Sequence, residues 1–449
     1  MTTDPSSPRP SKAWTLGPAI LVYNIAMLMA LGVLFPVWMP LVGFSQKYRR
    51  TFLKRSFMPS LSADSYDAGN RSKPIWVHAL SVGEVLSAEP LVKALARSYG
   101  AGRLIFTAST RTGFEMAGRI IAPHVRAVRH FPYDTLFSVD RALRVIQPRL
   151  VVIIETDLWP NFLYRLKRSR TPVYLVNARL SKRSFRGYRR VRLLMTPLWS
   201  VFERICVQTD LDRRRFTGIG VGNRRLATVG NIKFDQTPIS VSSDDIRQLH
   251  DTFCLATNAP VWVAGSTHAG EEDLLASAFV KLRASGCDAV LIVAPRDPGR
   301  ADDVCRIFSR SGVKAVTMDR IEKQKGASDV VVIDRIGILR HLYALADVTF
   351  VGGSLVEAGG HNPLEPASLA KPILFGRHTD DFGWICQTLE AAGGALRVDD
   401  ERQLADQVRR LMADQKWRRH IGRCAYDVFS ANRGAVARTL AIIGETADG

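Results

Sequence analysis

The sequence predicts an α/β protein of two doubly wound, Rossmann-like domains behind a separate N-terminal anchor. Three observations carry that prediction. Short, continuously apolar runs alternate with segments of helical periodicity, the pattern of parallel strands covered on both faces. The series is interrupted once, by a Pro/Ser/Asp stretch after Asp235 that reads as a linker. The length of 449 residues suffices for two such domains and an extra element. The expected divisions are 1–59 for the anchor and its basic flank, 60–240 for the first domain, and 241–449 for the second with its C-terminal helices.

The N-terminal segment is uncharged from Ala13 through Gln46, and Leu16 to Phe35 is long enough to cross a bilayer, which needs roughly 20 apolar residues. A cleaved signal peptide fits poorly, because the run is long and no small-residue cleavage site follows it. Lys47, Arg49, Arg50, Lys54 and Arg55 outnumber Arg9 and Lys12 on the other flank. The expectation is therefore a single anchor in an inner membrane with the body on the cytoplasmic side. Pro18, Pro36 and Pro40 leave a shallow interfacial hairpin as the alternative. The net charge of +20 implies an acidic partner. No nucleic-acid motif accompanies it, so an anionic membrane or phosphorylated substrates are expected instead of nucleic acid. The six cysteines are scattered without metal-ligand spacing, as reduced thiols would be.

The first β-then-α unit is Ile75–Leu80, the turn Ser81-Val82-Gly83-Glu84, and a helix from Val85 to Ser98. Strands follow at Leu104–Thr107, Leu150–Ile154, Val173–Val176 and Arg204–Val207. Ligands gather at the carboxyl ends of such strands, where Glu84, Thr107, Glu155 and Asn177 fall. Glu84 sits just inside a helix N-terminus, whose dipole favours an ionised carboxylate; a helix-stabilising first-turn Glu is the plainer reading. Glu155 has a similar plain reading, and His78 within its strand reads as a core or supporting histidine. Lys182, Arg183, Arg186, Arg189, Arg190 and Arg192 form either a solvated helix face or a seat for phosphates and lipid headgroups.

In the second series Val261–Ala264 runs into Gly265-Ser266-Thr267-His268 and the acidic helix start Glu271-Glu272-Asp273. That turn suits an anion or simple helix capping. Val290–Ala294 leads to Pro295-Arg296, and Val330–Ile333 leads to Ile336-Gly337-Ile338. The strand Ala346–Val351 opens the stretch Val351–Pro366, whose four glycines are expected to present free N–H groups to a phosphate. A helix is expected over Pro363–Ala370, with Glu365 in its first turn placed to accept hydrogen bonds from a ribose.

The motifs then identify a family. They are Trp-Val-His-Ala-Leu-Ser-Val-Gly-Glu (76–84), Glu-Thr-Asp-Leu-Trp-Pro-Asn (155–161), Asn-Ala-Arg-Leu-Ser (177–181), Gly-Asn-Ile-Lys-Phe-Asp (230–235), Gly-Ser-Thr-His-Ala-Gly-Glu-Glu (265–272), and Val-Gly-Gly-Ser with Gly-Gly-His-Asn-Pro-Leu-Glu (359–365). Together they resemble the Kdo transferases, which move 3-deoxy-D-manno-octulosonic acid (Kdo) from CMP-Kdo onto lipid A precursors such as lipid IVA in lipopolysaccharide synthesis. The resemblance implies a GT-B glycosyltransferase, two domains facing a cleft, with Glu84 as proton acceptor and Glu155 and Lys233 assisting the transition state. It implies nucleotide contacts from Pro295, Arg296, the loop Ile336-Gly337-Ile338, and Asn362, Pro363, Leu364 and Glu365. Transfer is expected to be inverting and to need no metal or further cofactor. The family carries Met-Gly-Glu where this chain has Ile336-Gly337-Ile338, a departure at a nucleotide-contacting loop. A transferase of another activated sugar, or a membrane-anchored paralogue without catalysis, are the alternatives.

Overall fold

The computed structural model describes residues 16–36, 39–40, 46–59, 73–236, 241–256, 259–324 and 326–447. The linker expected over 60–73 falls almost wholly outside them, as do Arg9 and Lys12. The chain divides into two compact units, residues 1–236 with 433–449, and residues 237–432. The last helix, Ala435–Ala447, thus belongs with the first unit, although the sequence reading ran the second domain to residue 449. Asp235 ties it there: its carboxylate accepts the N–H groups of Gly434 and Val436, each at 2.6 Å.

The first unit holds seven parallel strands, β1 (Ile75–Ala79), β2 (Leu104–Ala108), β3 (Ala127–His130), β4 (Leu150–Ile154), β5 (Val173–Ala178), β6 (Arg204–Val207) and β7 (Leu226–Thr228). Their order is β3-β2-β1-β4-β5-β6-β7. Every residue of β1, β2, β4 and β5 is buried, as continuous apolar runs require when helices cover both faces. Trp76, Ile105, Val151 and Leu175 point to one face, while Val77, Phe106, Val152 and Val176 point to the other. The chain direction across the sheet reverses between β1 and β4, which makes the gap beyond their carboxyl ends the place for a ligand.

The second unit repeats the plan with β8 (Val261–Thr267), β9 (Val290–Pro295), β10 (Ala315–Thr317), β11 (Val330–Val332), β12 (Val348–Val351), β13 (Ile373–Phe375) and β14 (Ala395–Arg397). Their order is β10-β11-β9-β8-β12-β13-β14, all parallel, with the reversal between β8 and β12. Trp262, Phe279 and Phe350 pack on one face of this sheet, and Phe253, Val263 and Tyr343 on the other.

The N-terminal segment departs from expectation. Its helix, Leu16–Val33, has 18 residues, about 27 Å at roughly 1.5 Å per residue, against about 30 Å of hydrocarbon. No helix among the described residues is long and apolar enough to cross a membrane, so the expected span is not supported by them. One side of this helix is instead fastened to the first unit. Asn24 and Asn161 exchange side-chain amide hydrogen bonds at 2.8 and 2.9 Å, and Ile20 is buried in the core. Asp134 completes the fastening: it accepts the N–H groups of Asn161 and Phe162 and a hydrogen bond from Tyr23. The opposite side leaves Leu21, Val22, Ile25, Leu28 and Met29 about half or more exposed. The helix is thus apolar on nearly every side, with one side resting on the protein and the other left open.

Candidate active site

At the β1/β4 reversal the first unit gathers Glu84, Glu155, Asp157 and Lys233. The helix Val82–Tyr99 opens immediately after β1 and carries Glu84 in its first turn. One Glu84 oxygen accepts the Leu80 N–H at 2.5 Å, and Ser81 Oγ stands 3.5 Å from the other. Burial pushes the carboxyl up to about 8; the Leu80 N–H opposes this, and the charges of Glu155 and Asp157 add to it. The helix dipole expected to keep Glu84 ionised is outweighed by desolvation and by two neighbouring carboxylates.

Glu155 follows β4 with φ of 61°, a left-handed conformation that strains a residue with a Cβ. Its carboxylate lies 3.7 Å from Lys233 Nζ and 4.0 Å from Arg179 Nε. Lys233 is placed by Asn177, which is fully buried at the end of β5 with φ of 60°. The Asn177 side-chain oxygen accepts the Ile232 N–H at 3.2 Å, fixing the turn Ile232–Asp235. The expectation of a core or supporting role for His78 agrees with its surroundings. Buried His78 stacks on Phe131, contacts Thr107 Oγ1 at 3.0 Å through Nδ1, and stands 3.3 Å from Asp157 Oδ2 through Nε2.

Around the second reversal the glycine stretch behaves differently from expectation. Three of its four glycine N–H groups, those of Gly352, Gly353 and Gly360, are spent inside the protein. Gly353, Ser354 and Leu355 donate to Glu271 at 2.7–2.9 Å, Gly352 donates to Gly265 O, and Gly360 donates to Gly353 O. Glu271 also accepts the His268 N–H, in the turn that precedes its own helix. Burial pushes the Glu271 carboxyl up, and the four N–H donors push back. The neighbouring Glu272 is bound by Thr267 and, on both oxygens, by Arg300. The expected helix over Pro363–Ala370 shrinks to Leu364–Ala367, whose first N–H is taken by Asn362. With these N–H groups engaged, the polar groups left open around the two turns include side chains.

Those side chains are Arg296 after β9, His268 after β8, and His361 after β12. Arg296 is exposed, and its guanidinium has no hydrogen bond or ion pair among the described residues. Its charge depresses both histidines, although burial is the larger influence on each, and His361 is brought down to about 4. His268 and His361 meet at 2.8 Å between their Nε2 atoms, with rings 11° from parallel. Glu365 completes the group, pushed up by burial and opposed by Arg340, whose Nε lies 3.5 Å from it. Pro295 ends β9 and Pro363 and Leu364 are buried beneath the site. In the departing loop Ile336 is 76% exposed and Gly337 has φ of 102°, while Ile338 is half-buried against the cluster of Phe253, Val263 and Leu342. Neither histidine was among the site residues read from the sequence. The signal was there, since each follows one of the two strands that flank the reversal.

Two seven-stranded parallel sheets, each with polar side chains at its reversal, define a GT-B-like α/β protein. Solved structures share this fold at TM-scores of 0.56. One is a glycosyltransferase from Rickettsia africae, 9% identical, covering 84% of this chain and 99% of that one. Another is the UDP-GlcNAc 2-epimerase from Neisseria meningitidis, 14% identical with the same coverages. A family model described as 3-deoxy-D-manno-octulosonic-acid transferase matches residues 50–236. The 3-deoxy-D-manno-octulosonic acid transferase of Haemophilus influenzae is 33% identical over 84% of this chain and 88% of its own. That of Bordetella pertussis is 30% identical over 82% and 86%. The chain belongs to the Kdo transferase family, whose members are glycosyltransferases.

Proposed function

We propose that the protein transfers Kdo from CMP-Kdo to a lipid A precursor of the lipid IVA type, with inversion and without a metal. The observation that carries the mechanism is Glu84, a half-buried carboxyl lifted to about 8 at the reversal of the first sheet. An acceptor sugar hydroxyl is a poor nucleophile until a carboxylate takes its proton as the new bond forms, and a base is most effective with a pKa near the working pH. The acceptor oxygen attacks the anomeric carbon of Kdo, its proton passes to Glu84, and the bond to the phosphate breaks with its electron pair leaving on CMP. Direct displacement of this kind inverts the anomeric centre. Glu155 and Lys233, 3.7 Å apart, offset charge as it develops. In the second unit Arg296, Asn362 and Glu365 serve the nucleotide, together with the loop Ile336-Gly337-Ile338.

The sign of the pH dependence follows from Glu84. Protonated, it cannot accept the acceptor's proton, so activity is limited below its pKa. With CMP-Kdo as donor, kcat/KM should rise about tenfold per pH unit and level off above about 8. UDP-sugars should give no product at any pH. A flat profile from pH 6 to 9 would remove Glu84 as the base, and turnover of a UDP-sugar would replace the donor.

The acceptor reading includes membrane association through an interfacial helix instead of a span. It is supported by the exposed apolar side of Leu16–Val33 and by exposed Leu193 and Leu194 on the helix Arg192–Trp199, which touches it. The adjoining helix Lys182–Arg190 bears Lys182, Arg183, Arg186 and Arg190 around a concavity of about 810 Å³, with no acidic partner for them among the described residues. Anionic headgroups and the phosphates of a lipid A precursor suit such a surface. Leu21→Asp with Leu28→Asp should weaken binding to vesicles containing anionic lipid about 10²–10⁴-fold, since two leucines at about 1.5–3 kcal/mol each leave the apolar phase. Unchanged sedimentation with vesicles would place the membrane contact elsewhere.

A further inference from the structure

We infer that His268 and His361 form a proton-accepting clamp for the phosphate of the nucleotide, closing across the reversal of the second sheet. The inference deepens the donor reading above and rests on it. The two residues lie on opposite sides of the β8/β12 gap, one following each strand, where a ligand of this fold is expected. Their Nε2 atoms are 2.8 Å apart, so one proton must lie between them. Each neutral imidazole carries one N–H, and the bridge uses one of the pair's two protons. The second then sits on the Nδ1 of the ring that accepts. The neutral pair therefore presents one outward Nδ1–H and one outward lone pair. A single further proton converts that lone pair into a second N–H donor and leaves the bridge intact. A fourth proton on the pair would break the bridge. The pair is built to gain one proton and to become, in doing so, a two-pronged cationic donor.

The surroundings explain why the proton is absent until an anion arrives. The charged groups bearing on His268 are Glu272, Arg296 and Arg300; those bearing on His361 are Arg296 and His268 itself. The only carboxylate among them, Glu272, is already held by Arg300 and Thr267. Glu271, which accepts the His268 N–H, is committed to the glycine loop. Cationic neighbours and partial burial keep the pair neutral. A phosphate beside Arg296 reverses that balance, and neither Nδ1 has a protein partner among the described residues to compete with it. The geometry is held from below by Gly353, at φ of 69°, where any Cβ would stand 3.1–3.4 Å from both imidazoles.

Titration calorimetry of the full chain with CMP at pH 7.5, in two buffers of different ionisation enthalpy, reads the proton directly. The expected result is uptake approaching one proton per CMP bound, and no uptake with cytidine, which lacks the phosphate. In His268→Gln and His361→Gln the uptake should disappear and CMP affinity should fall about tenfold or more, with cytidine affinity unchanged. CMP binding to the unaltered protein without proton uptake overturns the clamp whatever the variants do. Equal losses of CMP and cytidine affinity in folded variants overturn it as well, by reducing the pair to a structural role. Failure of the donor reading looks different, because the unaltered protein would then bind neither CMP nor cytidine.

Discussion

Glu84→Gln should lower kcat by about 10²–10⁴-fold while CMP binding stays as it is. The substitution keeps size and shape, removes the group that takes the acceptor's proton, and leaves the second unit untouched. A second effect runs in the opposite direction. The Glu84 carboxyl has a folded pKa of about 8, raised from about 4.5. Below the lower value it is neutral both folded and unfolded. Between the two values the unfolded chain ionises while the folded one keeps its proton, so stability falls as pH rises, and the loss is complete above about 8. Glutamine carries no such penalty. The variant should therefore melt higher than the unaltered protein at pH 9 and equally at pH 4, which thermal unfolding at the two values will show. Loss of activity together with a lower melting temperature at pH 9 would indicate a disrupted fold instead of a missing base.

The largest effect on stability is expected at Glu271. Its carboxylate is fully buried and receives the N–H groups of His268, Gly353, Ser354 and Leu355. Glu271→Ala leaves the three loop donors without an acceptor, at about 1–3 kcal/mol each, or roughly 3–9 kcal/mol together. That is comparable to the whole stability of an ordinary domain, about 5–15 kcal/mol. Denaturant unfolding of the variant should show the second unit melting first or failing to fold. The same residue shapes the loop that carries His361, so a surviving variant should also bind CMP poorly. A midpoint within experimental error of the unaltered protein would mean that water replaces the carboxylate at little cost.

The α/β plan was legible because continuous apolar runs with helical segments between them admit few other arrangements, and β1, β4, β8 and β12 form where those runs lie. Glu84 and Glu155 were legible as strand-end residues for the same reason. The unread features depend on partners far away in the chain. Nothing near Gly353 says that its N–H is taken, because the acceptor, Glu271, lies 82 residues earlier. Nothing in the uncharged N-terminal run says that Asn24 is anchored, because Asn161 lies 137 residues later. Hydropathy alone counts Leu16–Phe35 as membrane-spanning; the amide pair turns one side of that helix toward the protein. The rise in the Glu84 pKa was missed because the helix dipole can be inferred from position, whereas burial and two opposing carboxylates cannot.

The reaction itself is the most direct test. The purified protein, incubated with CMP-Kdo and a tetra-acylated lipid A precursor, should yield a lipid heavier by Kdo together with free CMP, both read by mass spectrometry. The Glu84→Gln protein should yield neither above background. An unmodified lipid with CMP-Kdo, alongside a lipid made heavier by a different activated sugar, would contradict the assignment of donor and reaction.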